Sequence, residues 1–143
     1  MTAPRRILFV GTGNSVRSQI AEGWFRHLTA DRRGFQVRSA GVDPRHLHPL
    51  ATAVMHEVGI DIGSQRGQGV ISLRDERFDL VVTVCEVADA ALGEEYGLRA
   101  TRRLHRPIDD PTLLEDPDEP DVEPFRECRD EIRAMVDELL ADF

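Results

Sequence analysis

Ile7-Leu8-Phe9-Val10-Gly11-Thr12-Gly13-Asn14-Ser15-Val16-Arg17-Ser18 is the stretch on which the fold turns. Ile7–Val10 is a continuous apolar run ending at glycine, the pattern of a strand buried on both faces. Beyond the loop, Ile20, Ala21, Trp24 and Leu28 fall on one face at helical spacing, so a helix is expected from about Ser18. Successive backbone N–H groups in a tight turn that ends at a helix N-terminus make a concavity favouring an oxyanion. Gly11 and Gly13 let the backbone approach such a ligand closely. Asn14 and Ser15 carry short polar groups that hold a turn by local hydrogen bonds. Arg17 supplies a planar fork that grips two oxygens at once. Ser18 is placed to cap the helix or to reach the anion. The anion-binding set read from this segment is therefore Gly11, Thr12, Gly13, Asn14, Ser15, Val16, Arg17 and Ser18. A Rossmann loop needs a third glycine where Val16 stands, and a Walker A loop needs Gly-Lys before its hydroxyl residue, so both are excluded. The competing reading is a purely structural strand–turn–helix junction. Where the strand enters the loop, beneath a bound anion, Gly11 offers no side chain.

Working outward, Phe35–Ala40 alternates apolar and polar residues as a second strand would. Leu47, Leu50, Val54 and Val58 mark another amphipathic helix, with Gly59 placed to end it. Val70–Arg74 reads as a short helix or turn. Phe78–Val84, rich in β-branched residues, predicts a central strand, and Arg99–Leu104 a last short one. Pro124 opens a final helix where a missing N–H is harmless, with Phe125, Cys128, Ile132, Met135 or Val136, and Leu139 inward. Strands alternating with helices predict an α/β fold, a single domain over residues 1–143 with a four-stranded parallel sheet flanked by helices. In such a sheet ligands bind beyond the carboxyl ends of the strands, where the loop lies.

The 143 residues suffice for one buried core. A formal net charge of −8 argues against nucleic acid or an anionic membrane as partner. Six carboxylates and three prolines crowd residues 115–124, which reads as a solvated loop before the last helix. No apolar run approaches the ~20 residues of a membrane span, and Arg5–Arg6 with only Ile7–Val10 behind them do not make a signal peptide. Two cysteines, Cys85 and Cys128, exclude a disulfide framework and fit a reducing cytoplasm, the expected location. Among the five histidines, His46 and His48 stand in a loop without cysteine pairs, and the expectation is surface histidines rather than zinc.

Arg6–Phe25 resembles the active-site segment of the low-molecular-weight protein tyrosine phosphatase superfamily, most closely its thioredoxin-coupled arsenate reductase branch. Further blocks follow in the same order: Arg38–Val42, Met55–Ile62, Asp79–Cys85, Ile108–Pro111 and Phe125–Ile132. The resemblance implies that a cysteine at the first loop position attacks phosphorus or arsenic, with the loop arginine stabilising the anion. An aspartate before a proline then protonates the leaving oxygen. Carried over by position, Arg17 is the anion ligand, Asp110 the general acid, and Gly11 the place of the lost nucleophile. Asp-Asp-Pro is also a common turn, so Asp110 keeps that reading too. A second loop cysteine of many relatives is Val16 here. Of the two relay cysteines in arsenate reductases, Cys85 matches the first and Leu92 stands at the second. Cys85 is thus a relay remnant or a core thiol, and Cys128, on the apolar stripe, a core thiol. The potassium site of some relatives would draw on Asn14, Glu22 and Ser39, with Gln68 in place of its remaining carboxylate, so no metal is expected, and no cofactor.

The reading that results is a protein that binds a small oxyanion (phosphate, arsenate or sulfate) or a phosphorylated ligand without turning it over. The alternatives are an arsenate reductase or phosphatase whose nucleophile has been replaced, and a non-catalytic interaction module. No protein partner is indicated.

Overall fold

A computed structural model describes residues 5–92, 97–116 and 118–143. Four parallel strands, β1 (Arg5–Gly11), β2 (Phe35–Gly41), β3 (Arg77–Thr83) and β4 (Arg99–His105), form one sheet in the order β2-β1-β3-β4. β1 pairs with both β2 and β3, with Ile7 opposite Val37 on one side and Leu80 on the other. The strand order therefore reverses at β1, the kind of point at which open α/β sheets bind ligands.

Alternation along β1 divides the interior in two. Ile7 and Phe9 face a core built with α1 (Arg17–Leu28), α2 (Pro49–Glu57) and α4 (Glu123–Leu140), which includes Ile20, Phe25, Met55, Phe125 and Ile132. Leu8 and Val10 face a smaller core with Val70, Leu73, Phe78, Val81 and Cys85, covered by a 3-10 turn (Val70–Leu73) and the short α3 (Glu86–Ala91). Burial on both faces is why the centres of these strands, Ile7–Val10 and Leu80–Val82, are continuous apolar runs. β4 is the opposite case: an edge strand with Arg99, Arg102 and Arg103 exposed, which discourages pairing with another chain.

The four-stranded parallel α/β architecture read from the sequence is the one found, with four local differences. The buried centre of α2 is Ala51, Val54 and Met55, while Leu47, Leu50 and Val58 pack at its flanks. Gly59 ends that helix with φ +80°; its N–H donates to the His56 carbonyl and that of Ile60 to the Met55 carbonyl, both at 3.0 Å, a Schellman arrangement. α3 was not foreseen, because six residues capped by a cysteine carry no periodicity worth reading. The Asp-Pro segment starts a second 3-10 turn, Pro111–Leu114. α4 begins one residue ahead of Pro124. The carboxylates of the acidic stretch before it are exposed, with Pro117 outside the described residues. No helix among the described residues is long and apolar enough to cross a membrane.

Candidate functional site

β1 ends at Gly11 and α1 starts at Arg17. Between them the chain turns through Asn14 at φ +50°, a left-handed conformation that asparagine tolerates better than most residues. Asn14 is buried and both polar atoms of its side chain are hydrogen-bonded. Its Nδ2 donates to Ser18 Oγ at 2.8 Å, and its Oδ1 accepts from the Gln68 backbone N–H at 3.0 Å.

The loop's carbonyls are held from the side. Those of Gly11, Thr12, Gly13 and Ser15 accept the backbone N–H groups of Val42, Asp43, Arg45 and His48 at 2.8–3.2 Å. Gly41 lies directly beneath: a Cβ there would stand 2.7 Å from Asn14 N and 2.8 Å from Thr12 O, so a side chain has no room. Peptide planarity turns each N–H opposite to the carbonyl of its own unit. The amides of Thr12, Gly13, Asn14 and Val16 therefore point away from the segment that clamps the carbonyls. Among the described residues, the N–H groups of residues 13–18 have no protein acceptor.

These residues line a pocket of about 440 Å³ together with Arg45, His46, His48, Asp110, Thr112 and Glu115. Arg17 is mostly buried. Its Nη1 donates to the Ile108 carbonyl at 3.0 Å, and its Nη2 lies 3.6 Å from Asp110 Oδ2. The other carboxylate oxygen of Asp110 accepts from the Thr112 N–H at 2.9 Å and the Thr112 hydroxyl at 2.7 Å. Asp110 therefore caps the 3-10 turn and lines the pocket at once, so the turn reading and the pocket reading describe one residue.

Of the two readings of Ser18, a cap or a reach toward the anion site, the cap of α1 is not made, and the residue lines the pocket. Val16 occupies the N-cap without a side-chain bond, its own side chain packed into the larger core, and Ser18 is buried against Asn14. His48 is not a plain surface histidine either. Its Nδ1 accepts from Leu50 N–H at 3.1 Å, capping α2, its Nε2 lies 3.0 Å from Glu115, and its ring packs on Phe125 at 4.9 Å. His46 is exposed at the pocket mouth. The wall made by Arg45, His48, Thr112 and Glu115 was missed; the only signal was His48 before Pro49, which marks a helix start. Among the described residues no cluster of three His, Cys, Asp or Glu could hold a metal.

The model of the low molecular weight phosphotyrosine protein phosphatase family matches residues 6–143. The chain belongs to this family. It is 40% identical over 133 residues to an arsenate reductase of Bacillus subtilis (strain 168), covering 93% of each chain. It is 33% identical over 137 residues to a glutaredoxin arsenate reductase of Synechocystis, covering 96% of this chain and 97% of that one. A solved arsenate reductase in the phosphate binding state superposes with a TM-score of 0.76 at 31% identity, over 96% of this chain and 98% of that one.

Within this family member, Cys85 touches the loop. Its Sγ lies 3.1 Å from Thr12 Oγ1 and accepts from the Ala88 N–H at 3.4 Å as the cap of α3. Leu92 is buried in the same small core. Cys128 is buried on α4, and its thiol is pushed up from an ordinary 9.0 to about 12, by burial first, then by Glu131, Asp110 and Asp109 against the opposing charge of Arg17. It is thus a neutral core group at physiological pH. A raised folded value means its stabilising contribution is complete below pH 9.0 and is lost as pH rises through about 12. Iodoacetamide at pH ~8 is expected to leave Cys128 unmodified in native protein and to modify it in denaturant, read by peptide mass.

The potassium donor set does not fit a metal here. Glu22 Oε2 accepts from Arg26 Nε at 3.0 Å and Nη2 at 2.8 Å, and its Oε1 accepts from the Ser39 hydroxyl at 2.7 Å. Asn14 Oδ1 is taken by the Gln68 N–H, and Gln68 Oε1 accepts from Arg38 Nη2 at 3.0 Å.

Proposed function

We propose that this member of the family binds a small oxyanion, phosphate or arsenate, or a phosphorylated ligand, in the loop pocket and does not turn it over. The observation that carries the reading is the row of acceptor-free amides at residues 13–18 around a pocket that also holds Arg17. Such amides at a helix N-terminus, joined by a guanidinium, are the donors a tetrahedral anion needs. The phosphate-bound state of a structurally similar arsenate reductase supports the choice of ligand.

The absence of turnover follows from Gly11. It sits at the nucleophile position that the resemblance assigns, and a glycine forms no covalent intermediate. It also places no thiolate beneath a dianion, which removes a like-charge repulsion that would oppose binding.

Calorimetric titration with phosphate and with arsenate tests this directly. Wild type is expected to bind both, and Arg17→Ala to bind roughly 100-fold more weakly, the loss of about two charge-assisted hydrogen bonds. p-Nitrophenyl phosphate hydrolysis should stay at background. Hydrolysis well above that background would refute the reading. Absence of heat in both proteins would favour the non-catalytic interaction module instead.

A second reading, an enzyme from which the nucleophile has been removed by substitution, has one observation in its favour. Gly11 does not adopt a positive φ, and a Cβ there would meet only side-chain atoms, Ser18 Oγ at 3.3 Å and Val84 Cγ2 at 3.4 Å. Nothing in the backbone demands glycine at this position.

A further inference from the structure

The structure assigns to Arg26 the place of a monovalent cation: a guanidinium carried by the chain itself neutralises the buried Glu22, and the loop is held without a metal. Glu22 and Arg26 are one helical turn apart on α1, where side chains at i and i+4 meet. The Glu22 side chain is only 6% exposed, and a carboxylate so enclosed needs a positive partner. Arg26 supplies it through two N–H groups on one oxygen and anchors its own head by donating to the Val37 carbonyl at 3.0 Å.

From Glu22 a line of hydrogen bonds runs to the loop. The Ser39 hydroxyl donates to Glu22, and the Ser39 carbonyl accepts from Gln68 Nε2 at 3.1 Å. The Gln68 backbone N–H then holds Asn14 Oδ1, and Asn14 holds Ser18. Asn14 is the left-handed pivot of the loop, so Arg26 is a positioning residue acting through Glu22, Ser39 and Gln68. Gln68 fits the same logic. With the charge of Glu22 already met by an arginine, no second carboxylate is needed, and the neutral Gln68 amide bridges the Ser39 carbonyl and Arg38. A metal ion added here would meet the guanidinium as a like charge.

The consequence is a protein indifferent to potassium, and an Arg26→Ala variant that acquires a response to it. Thermal unfolding is measured in KCl, NaCl and choline chloride at matched ionic strength. Wild type is expected to give one Tm in all three. Arg26→Ala is expected to lose roughly 5–10 °C in choline chloride, since it strands a buried carboxylate, and to regain at least about half of that in KCl by binding the ion in the folded state alone. The double variant Arg26→Met/Glu22→Gln removes both charges and is expected to recover stability with no response to salt type.

A wild-type Tm that rises in KCl over choline chloride overturns the inference, as does an Arg26→Ala protein equally unstable in all three salts. A double variant no more stable than Arg26→Ala overturns it as well, because the loss then comes from packing rather than charge. If Arg26→Ala does not fold in any of the salts, the wild-type series and the double variant still decide. None of these readouts requires the pocket to bind an anion, so the result is independent of the function proposed above.

Discussion

Gly11→Cys is expected to hydrolyse p-nitrophenyl phosphate at least about 10⁴-fold faster than wild type, because a glycine forms no covalent intermediate and a cysteine can. The new thiol would stand at the end of β1, ahead of the N-terminus of α1, in the loop that carries Arg17. A helix N-terminus and a guanidinium both lower a thiol's pKa, so a substantial thiolate fraction is expected at neutral pH. The thiolate attacks phosphorus and the phenolate departs, taking its proton from Asp110 in the role the resemblance gives it. Water then attacks the phosphocysteine, releasing inorganic phosphate and the thiolate. Trapped phosphocysteine, seen by mass spectrometry in acid-quenched samples, is the specific readout. Catalytic arsenate reduction is not expected to follow, because Leu92 stands where the relay needs a thiol. A Gly11→Cys protein that binds phosphate yet shows no hydrolysis would mean that the scaffold has lost more than one sulfur.

The second large effect is structural. Gly41→Ala is expected to destabilise the protein by on the order of 3 kcal/mol, roughly 10 °C in Tm, and to weaken phosphate binding together with it. Its Cβ would lie within 2.9 Å of three backbone atoms, Asn14 N, Thr12 O and Gly13 C, none of which can swing aside as a side chain can. The loop would have to lift off the clamp formed by Val42, Asp43 and Arg45. Gly11→Ala is the control. Its Cβ meets only movable side chains at 3.3–3.6 Å, so its Tm should stay within about 3 °C of wild type. Similar losses in the two variants would show that the clamp does not shape the loop.

The contrast between these glycines also marks how far the sequence could be read. β1 and β3 were legible because a strand buried on both faces is apolar along its buried length, as in Ile7–Val10 and Leu80–Val82. The loop residues were legible because their chemistry is local: Arg17 and Asn14 belong to a turn whose ends are fixed by a strand and a helix. Asp110 came from resemblance alone, and only the fold brings it beside Arg17. What stayed hidden is what three-dimensional closure supplies. Nothing in the order of residues 42–48 says that their amides hold the loop's carbonyls, or that His48 and Glu115 meet across the pocket. Ser18, read either as a cap or as reaching the anion site, is a related case. A serine near a helix start reads as a cap, but its partner Asn14 draws it inward.

Arg17 illustrates one last consequence. Before any ligand arrives, its guanidinium is held by the Ile108 carbonyl and faces Asp110. A free arginine side chain loses about 2 kcal/mol of rotamer entropy when it is fixed. Here that loss belongs to folding rather than to binding. An anion bound as proposed would meet an arginine already oriented, so its affinity would draw on side-chain order that the folded chain established beforehand.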